Sequence, residues 1–244
     1  MTQSMISYPF SETLSLIFQM FPGQPINLWE VCTEFGIRIV LNKRLKREGY
    51  LACAEGEKLI FVSSNVVNHH RRRFIISHEI GHFLLHRNQL FGCSDILESR
   101  TLIFNSRDQE SEANCFASEL LLPRESLIHW IPNRRLSFED IQKISSAFDV
   151  SITFSALKAV QYSKTEDEIL LCYDGQKLKW YSVANNAVRK SQVPISCPIP
   201  NIEQKYLPEN VSGVWTDMYS GCVHHEYFHP YGTQTLVLLT GDRR

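Results

Sequence analysis

The sequence predicts an α+β protein: a mainly helical region running to about residue 164, then a small β-rich domain. Three observations carry this. Apolar residues recur with helical period, between caps and stops, at several places from residue 11 to 162. Short strand-like runs interrupt them between residues 37 and 63. After Thr165 the helical period disappears, and Pro and Gly punctuate short apolar runs. With 244 residues, 43% of them hydrophobic, the chain has ample material for a well-buried core in one domain or two.

In chain order, Ser11 is placed to cap a short amphipathic helix over 11–22, which Pro22-Gly23 stops. A second helix is expected over about 26–35. Ile37–Leu41, Gly49–Ala54 and Lys58–Ser63 read as strands, the last two forming a hairpin around Glu55-Gly56-Glu57. From Asn68 to His86 the pattern is helical, with Phe74, Ile75, Phe83, Leu84 and Leu85 as apolar positions. Asp108 precedes a strongly helical segment that runs to Leu122, where Pro123 ends it. Helices over Ser137–Phe148 and Ser151–Tyr162 form a pair. Ile169–Tyr173, Lys177–Ala184, Val211–Trp215 and Thr235–Thr240 read as strands.

Composition excludes several classes of function. A net charge of −1 gives no global electrostatic case for nucleic acid or an anionic membrane. The first 21 residues lack the cationic start of a signal peptide, and no run of about 18 apolar residues suggests a membrane span. The seven cysteines are an odd number without Cys-x-x-Cys spacing, which fits reduced, mostly buried thiols and a cytoplasmic protein.

The chemistry starts at His78-Glu79-Ile80-Gly81-His82. On a helix, residues i and i+4 share a face, so two imidazoles at that spacing can hold one zinc. Glu79 lies one residue further round, where it can act on water as a general base. Gly81 in mid-helix costs about 1 kcal/mol against Ala, and implies close approach of another element. The pattern alone is weak, arising by chance in on the order of one per cent of chains this long. This chain holds it twice. The second copy, His225-Glu226-Tyr227-Phe228-His229, is followed at once by Pro230 and Gly232, which leaves no room for a helix to align its histidines.

A catalytic zinc needs a third protein ligand and an open position. Downstream, Glu110, Asn114, Ala117 and Leu121 follow one helix face, so Glu110 can complete the shell and Asn114 can orient a ligating imidazole. Glu112 falls on another face with Phe116 and Glu119. Glu110 is therefore the preferred ligand, while the bland alternative makes these carboxylates a solvated helix face.

Two stretches, Arg73-Phe74-Ile75-Ile76-Ser77-His78-Glu79-Ile80-Gly81-His82-Phe83-Leu84-Leu85-His86 and Glu110-Ser111-Glu112-Ala113-Asn114-Cys115-Phe116-Ala117-Ser118-Glu119-Leu120-Leu121-Leu122-Pro123, resemble the paired signatures of the ImmA/IrrE-type metallopeptidases. The likeness is clear over Arg71–Pro123, looser over 25–160 and thin beyond 165. One departure is Leu122, where Met is common before the Pro. The resemblance implies a zincin-like metallopeptidase domain, assigned to residues 1–135, while the residue pattern itself gives a helical pair over 136–164 and the small β-rich domain over 165–244. The resemblance also implies zinc on His78, His82 and Glu110 with Glu79 as base. His86 matches a recurring histidine of the family. It stands one helical turn, about 6 Å, beyond His82, as a packed or hydrogen-bonded neighbour rather than a ligand.

Residues 137–162 resemble a helix-turn-helix, yet the recognition-helix position offers only Lys158, with Glu139, Asp140 and Asp149 nearby. Direct nucleic-acid binding is not expected, since it needs several phosphate contacts. Arg71-Arg72-Arg73 reads first as a solvated face, with a carboxylate partner or an acidic substrate as the alternative. The leading functional expectation is a zinc metallopeptidase of narrow specificity, cleaving a protein substrate through metal-activated water. Family precedent suggests that the substrate is a helix-turn-helix repressor. The competing expectation is a non-proteolytic regulatory module, whose structural or vestigial zinc supports docking onto a transcription factor.

Overall fold

The structure is a computed structural model that describes residues 9–54, 56–86, 107–165, 168–175, 177–184, 224–228 and 232–240. Seven helices and seven strands lie among the described residues, making this an α+β protein with two compact units, Met1–Pro123 and Arg124–Arg244.

In the first unit, α1 (Ser11–Met20) buries Leu14 and Ile17. Ser11 is its first helical residue and not its cap: Phe10 holds the cap position, without a side-chain hydrogen bond. The Phe10 ring turns inward to meet Phe116 edge-on at 5.7 Å, so packing fixes this start where a polar cap was expected. Asn27 caps α2 (Leu28–Glu34) by accepting from the N–H groups of Trp29 and Glu30. Strands β1 (Ile37–Asn42), β2 (Gly49–Ala54) and β3 (Glu57–Ser63) form a sheet of order β1-β3-β2. The expected β2–β3 hairpin is present and antiparallel, whereas β1 runs parallel to β3.

Asn68 accepts from the Arg71 N–H and so caps α3 (His69–Leu85). This helix is buried along most of its length, because β2 and β3 cover one side and α4 (Arg107–Leu121) covers another. A helix so enclosed needs little amphipathicity, and α3 accordingly carries Ile75, Ile76, Ile80 and Phe83 on several faces. Gly49 allows the contact with the sheet: a Cβ there would stand 2.3 Å from the Ile75 side chain.

The second unit opens with α5 (Arg124–Trp130), a seven-residue helix absent from the sequence reading. Pro123 ends α4, and the chain turns at once into α5, which buries Leu127. Then come α6 (Phe138–Phe148) and α7 (Ile152–Gln161), joined through Asp149 at φ 51°. Ser137 and Asp140 form a reciprocal capping box at the start of α6, and Arg134 grips Asp140 through two hydrogen bonds of 2.8 Å. Strands β4 (Ile169–Asp174), β5 (Lys177–Val183), β6 (His224–Phe228) and β7 (Gln234–Thr240) make an antiparallel sheet of order β5-β4-β7-β6. The central strands β4 and β7 bury nearly continuous apolar runs, as strands covered on both faces do. The expected strand Val211–Trp215 lies outside the described residues.

Candidate metal centre

The centre is built where α3 crosses α4, and Gly81 makes the crossing possible. A Cβ at Gly81 would lie 3.0 Å from the Phe116 ring and 3.3 Å from the Ala113 backbone. Ala113 is itself fully buried, so the two backbones meet through the smallest side chains available. That approach carries Glu110, at the start of α4, up to the imidazoles of α3.

His78, His82 and Glu110 each offer a ligand atom, all within 4.8 Å of one another. The Nε2 atoms of His78 and His82 are 2.9 Å apart, and the two carboxylate oxygens of Glu110 lie 3.3 Å from one ring each. Donors at about 2.0–2.1 Å on a tetrahedron stand roughly 3.3 Å from each other, so this spread suits a small tetrahedral cation. Protonation favours a cation as well. Burial lowers the pKa of His78 despite the opposing charge of Glu110. Burial, followed by the neighbouring His78 and His82–His86 repulsion, pushes His82 down to about 3. Behind His78, the Asn114 amide oxygen accepts from Nδ1–H at 3.0 Å, which leaves Nε2 as the lone-pair end. Two neutral rings and a carboxylate thus converge as acceptors, and a cation would satisfy all three.

Glu79 is buried beside this group, at 7% exposure. Burial pushes its carboxyl up to about 7; the Leu51 backbone N–H and the charge of Arg47 pull it down, while Glu110 raises it further. A carboxyl poised near neutrality can take a proton and return it, as a general base must. Leu51 belongs to β2, which lies at the edge of its sheet among the described residues.

His86 and Glu112 form an outer layer that the sequence placed only vaguely. His86 is buried, with Nδ1 3.1 Å from His82 Nδ1 and Nε2 3.0 Å from Glu112 Oε2. The signal was present in the continued i, i+4 spacing of His78, His82 and His86, but the partner lies on another helix. Of the arginine run, Arg71 pairs with Glu48 and lies over the Phe74 ring, and Arg73 donates to the Ile26 carbonyl. The run is therefore tied into the structure rather than merely solvated.

Of the second His-Glu-x-x-His copy, His225 to Phe228 lie on strand β6, while His229 lies outside the described residues. In the helix pair, Lys158 is buried at 4% exposure, with Nζ 5.8 Å from the Phe154 ring centre. No helix among the described residues is long and apolar enough to cross a membrane.

Residues 32–159, just over half of the chain, match the Peptidase_M78 family, described as the IrrE N-terminal-like domain. Metallopeptidase ImmA of Bacillus subtilis (strain 168) is 30% identical over 112 residues, which are 43% of this chain and 60% of that protein. Uncharacterized immunity region protein 2 of Bacillus phage phi105 is 32% identical over 116 residues, 47% of this chain and 70% of the relative. Among solved structures, a Mycobacterium tuberculosis transcriptional regulator aligns with a TM-score of 0.53 at 14% identity. The alignment covers 96% of this chain and 77% of that one, a likeness of fold alone.

Proposed function

This chain belongs to the ImmA/IrrE family of metallopeptidase-like proteins, and from that premise we propose that it is a zinc-dependent peptidase of narrow specificity, with a zincin-like catalytic domain. The observation that carries the reading is the convergence of His78, His82 and Glu110 beside a buried Glu79. His78, His82 and Glu110 would hold the ion. Bound there, zinc supplies Lewis acidity, lowering the pKa of water to about 7 and polarising a carbonyl.

The chain's own residues supply the rest. Asn114 holds the His78 ring with its Nε2 turned to the ion. Glu79, near 7 and anchored by the Leu51 N–H, accepts the proton of the attacking water and passes it to the leaving amine. An extended peptide that pairs with the edge of β2 would run past Glu79, with its main chain held by strand hydrogen bonds. Zinc, rather than a harder ion, suits two imidazoles and one carboxylate.

For the substrate, our reading is a helix-turn-helix repressor, as the family resemblance implies, and the immunity-region and regulator names among the similar proteins are consistent with a repressor-related substrate. The helix pair α6–α7 offers no exposed cation on its second helix for DNA, and suits docking of a protein better. Docking of that kind leaves little binding energy for generic peptides, so casein-like substrates should be cut poorly. The experiment is co-expression with candidate repressors and mapping of cleavage sites, for the wild type and for Glu79→Gln. The variant should keep its metal and lose roughly 10²-fold or more of the activity. Repressor relief that persisted in Glu79→Gln would favour the non-proteolytic docking module instead.

A further inference from the structure

Behind His82, on the side away from Glu110, a line of hydrogen bonds leads outward through His86 to Glu112. We propose that His86 and Glu112 are positioning residues for the metal centre: together they fix the tautomer and orientation of His82, so that its Nε2 is always the lone-pair end. The proposal rests on the reading of His78, His82 and Glu110 as the ligand set.

The direction of each bond follows from its end. A carboxylate only accepts, so Glu112 Oε2 receives the Nε2–H of His86 across 3.0 Å. The remaining acceptor of the His86 ring is then Nδ1, which faces His82 Nδ1 at 3.1 Å. His82 must therefore donate from Nδ1 and present a bare Nε2 to His78 and Glu110. One surface carboxylate thereby sets the proton positions on two buried rings. A ligating imidazole whose other N–H is held by an acceptor backed by a carboxylate is both oriented and made more basic.

The geometry of the helices makes the arrangement specific. His86 follows His82 by one turn and occupies the C-cap of α3, at 4% exposure. Glu112 stands two residues after Glu110 on α4, so one helix turn serves both sides of the same imidazole. Glu110 approaches Nε2, and Glu112 reaches Nδ1 through His86. His78 is held differently, by the neutral amide of Asn114. The two ligands are therefore unequal, and His82 is the one tied to a charge.

A merely structural role for the pair would alter stability and leave His82 unchanged. The test uses the full chain and two readouts: zinc affinity by competition with a chromophoric chelator, and the His82 tautomer by long-range ¹⁵N–¹H NMR. His86→Leu should weaken zinc binding by about 10–100-fold. Glu112→Ala should weaken it by up to about tenfold, with helix content unchanged, and should let His82 populate the other tautomer. Glu112→Gln, whose amide oxygen still accepts from His86, should recover most of the loss. The side chain of Glu112 is 48% exposed, so its substitutions test the proposal even if His86→Leu fails to fold. A zinc-binding wild type matched by Glu112→Ala in both affinity and His82 tautomer would overturn the relay alone. A wild type that took up no zinc would overturn the metal centre, and the relay with it.

Discussion

In the second unit, two buried carboxylates have hydrogen-bond donors close at hand. Asp140 accepts from Arg134 and Ser137, and Glu168, fully buried, accepts from Ser163, Thr165 and the Leu136 N–H. In the first unit, His78, His82 and Glu110 turn their lone pairs toward one another, and Glu79 is buried beside them with its pKa raised. Buried polar groups cost little when they are hydrogen-bonded and a great deal when they are not. The difference separates polar burial that stabilises the fold from polar burial that waits for a ligand. Perturbed groups gathered in this way make a candidate functional site.

The largest effect should come from the ion itself. Zinc at a thousand times its dissociation constant stabilises the state that binds it by about 4.1 kcal/mol. Hydrogen exchange should show amides of α3 and α4 slowing sharply on zinc addition, with those of β4 and β7 hardly changed. Equal slowing in both units would erase the contrast.

A second test widens the crossing. Gly81→Val puts a branched side chain where a single Cβ already meets Phe116 at 3.0 Å and the Ala113 backbone at 3.3 Å. Overpacking of this kind costs about 1–3 kcal/mol, and should carry Glu110 away from the rings. Thermal unfolding and zinc titration should both register the change. A variant with normal stability and zinc affinity would show that the helices need not meet so closely.

Much of this site was legible in the sequence, because its parts obey spacing rules within single helices. His78 and His82 sit four apart, Glu110 and Asn114 four apart, and the unexplained Gly81 foretold the close approach. What stayed hidden depends on contacts between elements. Glu112 was set aside because it lies on another face of its helix from Glu110, and only the reach of His86 across the crossing makes it relevant. Helix α5 escaped notice because seven residues after a proline leave almost no periodic pattern. Strand β6 was hidden in a histidine-rich stretch whose pairing with β7 is long-range, and the parallel β1–β3 pair was hidden for the same reason.

The smallest effect belongs to the second unit. Burial tends to raise the Asp140 pKa, but hydrogen bonds from Arg134 and Ser137 outweigh it and hold the value below the ordinary one. A lowered native pKa contributes stability above the unfolded value of about 3.9, and loses it as pH falls through the native value. Asp140→Asn should therefore cost about 1 kcal/mol at pH 7, the scale of a lost cap, with the gap to wild type closing below about pH 4. Denaturant unfolding across pH checks this, and zinc affinity at pH 7 should be unaffected. A gap that stayed constant into acid would assign the cost to packing.

Zinc content of the purified full chain, measured by mass spectrometry after dialysis, tests the central claim most directly. The wild type should hold about one zinc per chain. Glu110→Ala should lose most of it, while a paired His225→Ala, His229→Ala variant should keep it. Equal zinc in the Glu110 variant and the wild type, or loss confined to the paired histidine variant, would contradict a centre built from His78, His82 and Glu110.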